Sequence, residues 1–196
     1  GSFEGLLTAI YFSYYGENAD GIYPLDHYQF SLITRSQVVD TDANLADKVY
    51  HAAEKKISSG FLRQVYHVFL SNNQNKENII LNYMRLGFQL GPKIDAYHTH
   101  PDVLPVHETA KKVSIEAHRF FGLLRFAECH QYLYASFEPD HNILVLLAEH
   151  FTDRLAKENF IIHDTKRLLA VVYNQKEWYL TDLTKNQNHS FSANEA

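Results

Sequence analysis

The dominant hydrophobic period of this chain changes a little past residue 121. Before that point apolar residues recur mainly at helical spacing; after it they largely alternate with polar ones, so the chain must build mostly helices first and mostly strands second. In Phe3 to Tyr15 the apolar positions are 3, 6, 7, 10, 11 and 14, and Gly16 stops the run where a helix C-terminus favours glycine. Asp42 is placed to cap a helix reaching Ile57, Ser58-Ser59-Gly60 breaks it, and Phe61 to Leu70 resumes the pattern. Another helix spans Glu77 to Leu90 and stops at Gly91-Pro92. The next starts from an Asp102 cap and runs to about Phe121, with Val103, Val106, Ala110, Val113 and Ala117 as its apolar stripe. Residues 17 to 41 are mixed, with short strands expected near Phe30 to Ile33 or Gln37 to Val39.

Leu124 and Phe126, then Leu133, Ala135 and Phe137, alternate with polar or amphipathic residues and predict a hairpin turning near Cys129 to Gln131. Pro139 ends it, Asp140 or Asn142 caps a helix over residues 143 to 157, and strands follow at 160 to 163, 167 to 173 and 177 to 181. The short connections Asp164-Thr165-Lys166 and Asn174-Gln175-Lys176 suit antiparallel pairing. The expected fold is α+β, a mainly helical N-terminal half packed with a C-terminal antiparallel sheet of about five strands. Residues 3–183 are read as one domain and 184–196 as a polar, frayed segment.

Composition narrows the function. At 45% hydrophobic and 14% aromatic residues the chain has the means to bury a core. A formal charge of −5 argues against binding nucleic acid by bulk electrostatics, and neither half is basic: residues 1–100 carry 8 basic and 10 acidic side chains, residues 101–196 carry 10 and 13. Any phosphate contact must be local. No apolar run approaches the roughly 20 residues of a membrane span, and no basic, then apolar leader opens the chain, so a cytoplasmic protein is expected. The single Cys129 excludes an internal disulfide and any multi-cysteine metal site within the chain.

The polar residues that stand out cluster around the change of period. His118, Arg119 and Arg125 sit within eight residues at a helix end, where unpaired burial would be costly, so they face solvent, find partners or take an anion. His107 lies eleven residues, three helical turns, before His118, and with Lys111 and Ser114 forms a stripe suited to line a groove; boundary histidines between core and solvent are the plainer reading. Lys111, Lys112, Arg119, Arg125 and Arg167 are candidate phosphate contacts, since arginine matches phosphate bidentately and lysine supplies a point charge. The pairs Asp140-His141 and His163-Asp164 fall at strand ends, where a rigid sheet can hold an acid or base. Neighbours on a strand point to opposite faces, so catalysis would pair groups across elements, His118 or His141 with Asp164 or Arg167. Asp140 and Asp164 equally suit turns or caps.

His98, His100 and Asp102, with His107 or Glu108, are the nearest approach to a metal cluster, but a His-x-His pair beside Pro101 lacks the spacing of a metalloenzyme motif, and neither metal nor cofactor is expected. Cys129 has no activating base beside it beyond His130 and is read as structural. Tyr132, Tyr134, Tyr173, Trp178 and Tyr179 give the sheet rings that suit either packing or the stacking of unpaired bases. Phosphate-binding glycine loops, the G-x-S-x-G elbow and the dinucleotide fingerprint are all missing, so those chemistries have no support.

The segments THPDVLPVH (99–107), His118 to Glu128, EPDHNILVLLAEHF (138–151) and IIHDTKR (161–167), with Phe3-Glu4-Gly5 and Tyr83-x-Arg85-Leu86-Gly87-Phe88, resemble a bacterial family assigned to DNA metabolism that carries a domain of unknown function of the DUF4130 type. The resemblance covers most of residues 3–180 and is strongest from His100 to Arg167. It implies a role beside a radical-SAM protein of DNA repair or modification, members of the family being often encoded next to one and sometimes fused to a uracil-DNA-glycosylase-like domain. It supplies no catalytic residues. Many members continue into a basic, aromatic tail, whereas residues 184–196 here are polar. Three readings follow: an accessory that presents DNA to a radical-SAM partner; a hydrolase or N-glycosylase-like enzyme using His118, His141 and Asp164 beside Arg119, Arg125 and Arg167; or a structural or small-ligand-binding module without DNA contact. A deep pocket gathering those groups marks the enzyme, a flat basic or aromatic strip marks binding, and paired or dispersed polar groups mark the third.

Overall fold

The computed structural model describes residues 1–16, 19–26, 28–29, 33 and 35–183. Ser2 opens helix α1, Phe3–Tyr15, by accepting the Gly5 N–H on its hydroxyl, and the Gly16 N–H closes it on the Phe12 carbonyl. Asp42 starts α2, Ala43–Lys56, through two bonds to its carboxylate, from Asn44 N at 2.9 Å and Leu45 N at 3.1 Å. The buried Thr8 hydroxyl ties the helices together, accepting the Asp42 N–H at 3.2 Å while its one proton is shared between the Glu4 carbonyl at 2.7 Å and the Asp42 carbonyl at 3.1 Å. The helix breaks at Ile57 and Ser58, as expected, and the next one starts at Ser59 rather than Phe61: Ser58 caps α3, Ser59–Leu70, by accepting the Phe61 N–H. Helix α4 spans Lys76–Leu90 and passes at Gly91 into a 3-10 turn, Gly91–Ala96, with Pro92 in its first turn. Helix α5, Leu104–Leu123, follows; Asp102 lies in the turn before it rather than capping it.

The chain divides into two compact units, residues 1–111 and 112–196, with the boundary inside α5. In the first unit Leu7 and Ile10 of α1, Ala53 of α2, Phe61 and Val65 of α3 and Met84 of α4 share one core. Gly87 permits a close contact within it: a Cβ there would lie 2.7 Å from the Phe61 ring and 2.9 Å from Ile57 Cδ1. That ring cannot yield easily, being stacked on Tyr83 at 4.4 Å.

The second unit holds a five-stranded sheet in sequence order: β1 Ala127–Cys129, β2 Tyr132–Phe137, β3 Phe160–Asp164, β4 Leu169–Tyr173 and β5 Trp178–Asp182. The sheet is mixed rather than wholly antiparallel. Helix α6, Leu144–Arg154, carries the chain back to the starting end of β2, so β3 runs parallel to it, while the other three pairings are antiparallel. Leu144, Leu147, Ala148 and Phe151 form the buried stripe of α6, the i, i+3, i+4, i+7 pattern of a helix laid on a core. Strand β3 is buried along its whole length. The tight connections use left-handed residues, His130, Leu168 and Gln175, and at the last of them Asn174 Oδ1 accepts the N–H groups of Lys176 and Glu177.

Residues 37–39 form no strand. The strand expected at Phe30 to Ile33 and the frayed segment 184–196 lie outside the described residues, Ile33 excepted. Among the described residues no helix is long and apolar enough to cross a membrane.

Gly87→Ala should destabilise the protein by roughly 1–3 kcal/mol, the usual cost of forcing a group into a filled core, although alanine is the better helix former by about 1 kcal/mol. Urea denaturation measures it, and an unchanged or raised midpoint would show that Phe61 moves aside freely.

Candidate functional site

Strands β2 and β3 are the parallel pair, and their carboxyl ends, Phe137 and Asp164, lie side by side. The loop from Glu138 to Ile143 and the turn from Thr165 to Leu168 leave from there, the position where parallel strands joined by a helix ordinarily present functional groups. Asp164 is wholly buried, and its charge is met on every side. Its Oδ1 accepts the backbone N–H groups of Lys166 at 3.0 Å and Arg167 at 3.1 Å, and its Oδ2 accepts Arg167 Nη1 at 2.7 Å. The guanidinium has further partners: Nη1 donates to the Pro139 carbonyl at 3.2 Å and Nη2 to the Asp140 carbonyl at 2.6 Å. Above that loop, Glu116 of α5 accepts the N–H groups of Asp140 at 2.7 Å and His141 at 2.9 Å. Neither Asp140 nor Asn142 caps α6, whose first residue follows Ile143 without a side-chain cap.

The structure therefore gathers His141, Asp164 and Arg167, with Glu116 as an addition. Burial lowers the His141 imidazole below its ordinary value; Glu116 and Asp140 oppose this, while Arg167 and Lys112 reinforce it. Asp164 and Arg167 satisfy each other and the loop, an arrangement that supports the fold and leaves Asp164 poorly placed to move protons. His118 is turned elsewhere, because side chains two residues apart on a helix point in nearly opposite directions and Glu116 faces the 140–141 loop. Its ring meets Phe121 edge-on at 6.0 Å, and Phe121 stacks on His150 at 4.1 Å. Arg125 Nη1 donates to the Gly122 carbonyl at 2.7 Å and closes the end of α5. Lys112 and Arg119 are exposed and form no ion pair among the described residues.

His107 and Lys111 belong to the first unit. Lys111 is exposed, while the half-buried His107 ring lies 5.5 Å from that of His98 and 6.4 Å from Tyr83. Desolvation lowers the His107 pKa, helped by His98 and opposed by Asp95. Tyr83 is buried with its hydroxyl lacking a hydrogen-bond partner among the described residues, and burial raises its pKa strongly. His100 Nδ1 accepts the Asp102 N–H at 3.1 Å, so these two shape the turn before α5. Among the described residues no three His, Cys, Asp or Glu side chains converge to hold a metal ion.

Strand register sorts the sheet aromatics. Tyr134, Ile161, Val172 and Tyr179 lie in one row across the sheet, while Tyr173 and Trp178 belong to a row on the opposite face. His163 shares the face of Tyr134 and is buried, its Nδ1 2.8 Å from the Tyr134 hydroxyl and its Nε2 without a hydrogen-bond partner among the described residues. Burial lowers its pKa, against the attraction of Asp164.

Sequence reading missed Glu116, whose partners lie 24 and 25 residues away, and missed two adjoining recesses of the first unit. One, of about 520 Å³, is lined by residues that include Arg85, Phe88 and Gln89; the other, of about 400 Å³, by Tyr11, Tyr14, Tyr15, Lys48 and Lys56 among others. The signal was present in the i, i+3, i+4 tyrosines at the end of α1, which helical periodicity absorbs as core.

Two outcomes follow. Arg167→Met leaves a buried carboxylate without its counter-ion and should cost about 3–5 kcal/mol of unfolding free energy; a loss under 1 kcal/mol would mean water already reaches Asp164. The folded His163 imidazole titrates below 6.5, so as pH falls through that value the unfolded chain binds protons first and stability declines. Denaturation at pH values on either side of 6.5 should show this decline, smaller in His163→Gln than in the parent; equal declines would assign it to His67, His107 and His141, whose pKa values burial also lowers.

No curated protein and no solved structure matches the chain. Residues 74–194 match the model of DUF4130, a domain of unknown function, a span that takes in α4, α5, α6 and the whole sheet. With well over half of its length inside that match, the chain belongs to the DUF4130 family.

Proposed function

We propose that this protein is a DNA-contacting accessory in DNA repair or modification, presenting a damaged or modified nucleotide to a radical-SAM partner. The observation that carries the reading is the contrast among its cations. Arg167 and Arg125 are engaged by carboxylate and carbonyl groups of the fold, whereas Lys112 and Arg119 stand exposed, seven residues apart on one face of α5. Two turns of helix separate them by about 10.5 Å, a spacing that suits contact with a phosphate backbone along a flat edge. The enzyme reading draws less support, since Asp164 is satisfied by Arg167 and the His118 ring packs against Phe121.

Fluorescence anisotropy of labelled single- and double-stranded DNA across a salt series tests this. Saturable binding should weaken with salt, and Arg119→Ala or Lys112→Ala should each reduce the slope of log affinity against log salt by about one. Binding that ignores both substitutions would remove α5 as the contact.

A further inference from the structure

We propose that the groove formed by α1, α2 and α4 in the first unit binds single-stranded nucleic acid, stacking an unpaired base on its tyrosines and holding flanking phosphates with Lys48 and Lys56. The site is built from helical spacing. Tyr11, Tyr14 and Tyr15 lie at i, i+3 and i+4 and therefore share one side of α1. Lys48, Ala52 and Lys56 lie four residues apart on successive turns of α2, with Val49 beside them, so two cations flank a narrow apolar floor. Phe88 of α4 closes the groove, its ring edge-on to Tyr14 at 5.7 Å and 5.9 Å from Lys56 Nζ. The cavity of about 400 Å³ falls within the range of small-ligand sites.

The tyrosines are poorly explained by packing. Tyr11 lies against the helical core, but Tyr14 is 44% and Tyr15 78% exposed. Tyr11 and Tyr15 hold their rings 4.6 Å apart, so Tyr15 offers its outer face to solvent on a supported ring. Aromatic platforms beside a cationic track are what strand-tolerant nucleic-acid binding requires, because every base has a face to stack and every phosphate a charge. Among the described residues none of the side chains lining this groove is acidic, and Lys48 and Lys56 form no ion pair. The lysines are eight residues apart, about 12 Å along the helix, more than one phosphate group spans. That distance selects a strand over a free mononucleotide.

The proposal rests on this groove and not on the α5 contact. Anisotropy of a fluorescein-labelled oligothymidylate, with a blunt duplex of equal length and free thymidine monophosphate as competitors, tests it on the full chain. Tyr15 and Lys48 are exposed, so Tyr15→Ala and Lys48→Ala should leave the fold intact, which circular dichroism verifies. Expected are tenfold or so weaker binding in Tyr15→Ala, from the loss of one stacking platform, and a salt slope lower by about 0.7 in Lys48→Ala. The duplex should compete poorly. An oligothymidylate response to these two substitutions marks the groove whatever Arg119→Ala does, which separates the outcome from that of the α5 reading. Oligothymidylate binding unaffected by both variants, no binding of the strand, or binding of the monophosphate alone would each overturn the proposal.

Discussion

A carboxylate fully removed from water at the end of β3 sets the terms for the second unit. Asp164 can remain ionised there only with close compensation, and the chain supplies it from Arg167, three residues on, together with two backbone N–H groups of the same turn. The arginine then reaches across to the carbonyls of Pro139 and Asp140, which fixes the loop leaving β2 relative to the turn leaving β3. That loop launches α6, and α6 is the crossover that makes β2 and β3 parallel. One ion pair therefore links the turn, the loop and the topology of the sheet. Glu116 completes the arrangement by receiving the next two N–H groups of the loop, so α5 is tied to the same place.

Much of this fold was legible in the sequence. The ends of α1, the Asp42 cap, the hairpin turn at Cys129 to Gln131 and the last three strands follow from spacing and turn residues, because those signals act over a few neighbours, whereas Leu124 and Phe126, expected in the first strand of the hairpin, precede β1. What the spacing could not show was direction. Strand pairing depends on where a crossover helix returns the chain, and alternation reads the same in parallel and antiparallel strands. The serines at 58 and 59 illustrate a second limit, since a residue that breaks one helix can cap another and only geometry decides.

The candidate site was less legible for the same reason. Residue type draws attention to His141, Asp164 and Arg167, but type does not tell an arginine that waits for phosphate from one already holding a buried aspartate. Both have the same sequence signature: a charge beside an apolar strand. The distinguishing partners are the carbonyls of Pro139 and Asp140, nearly thirty residues away. Glu116 was hidden more completely, because a glutamate on an amphipathic helix looks like ordinary solvated charge until its loop partners are known.

An acidic chain can still meet a polyanion if its few uncommitted cations are grouped. A formal charge of −5 describes the long-range field, which falls off within about 8–10 Å at physiological salt. Inside that distance the local inventory decides, and here it is sorted. Arg167 is paired with Asp164 and Arg125 is held by the Gly122 carbonyl, while Lys112, Arg119, Lys48 and Lys56 are among the cations that remain at the surface. On the proposed readings each of the two units keeps one such pair, and in the first unit the pair borders exposed rings. Weak global repulsion combined with short-range stacking favours partners that offer unpaired bases, since stacking is screened by neither salt nor net charge. A duplex, with its bases already stacked and its charge density higher, gains least from such a surface.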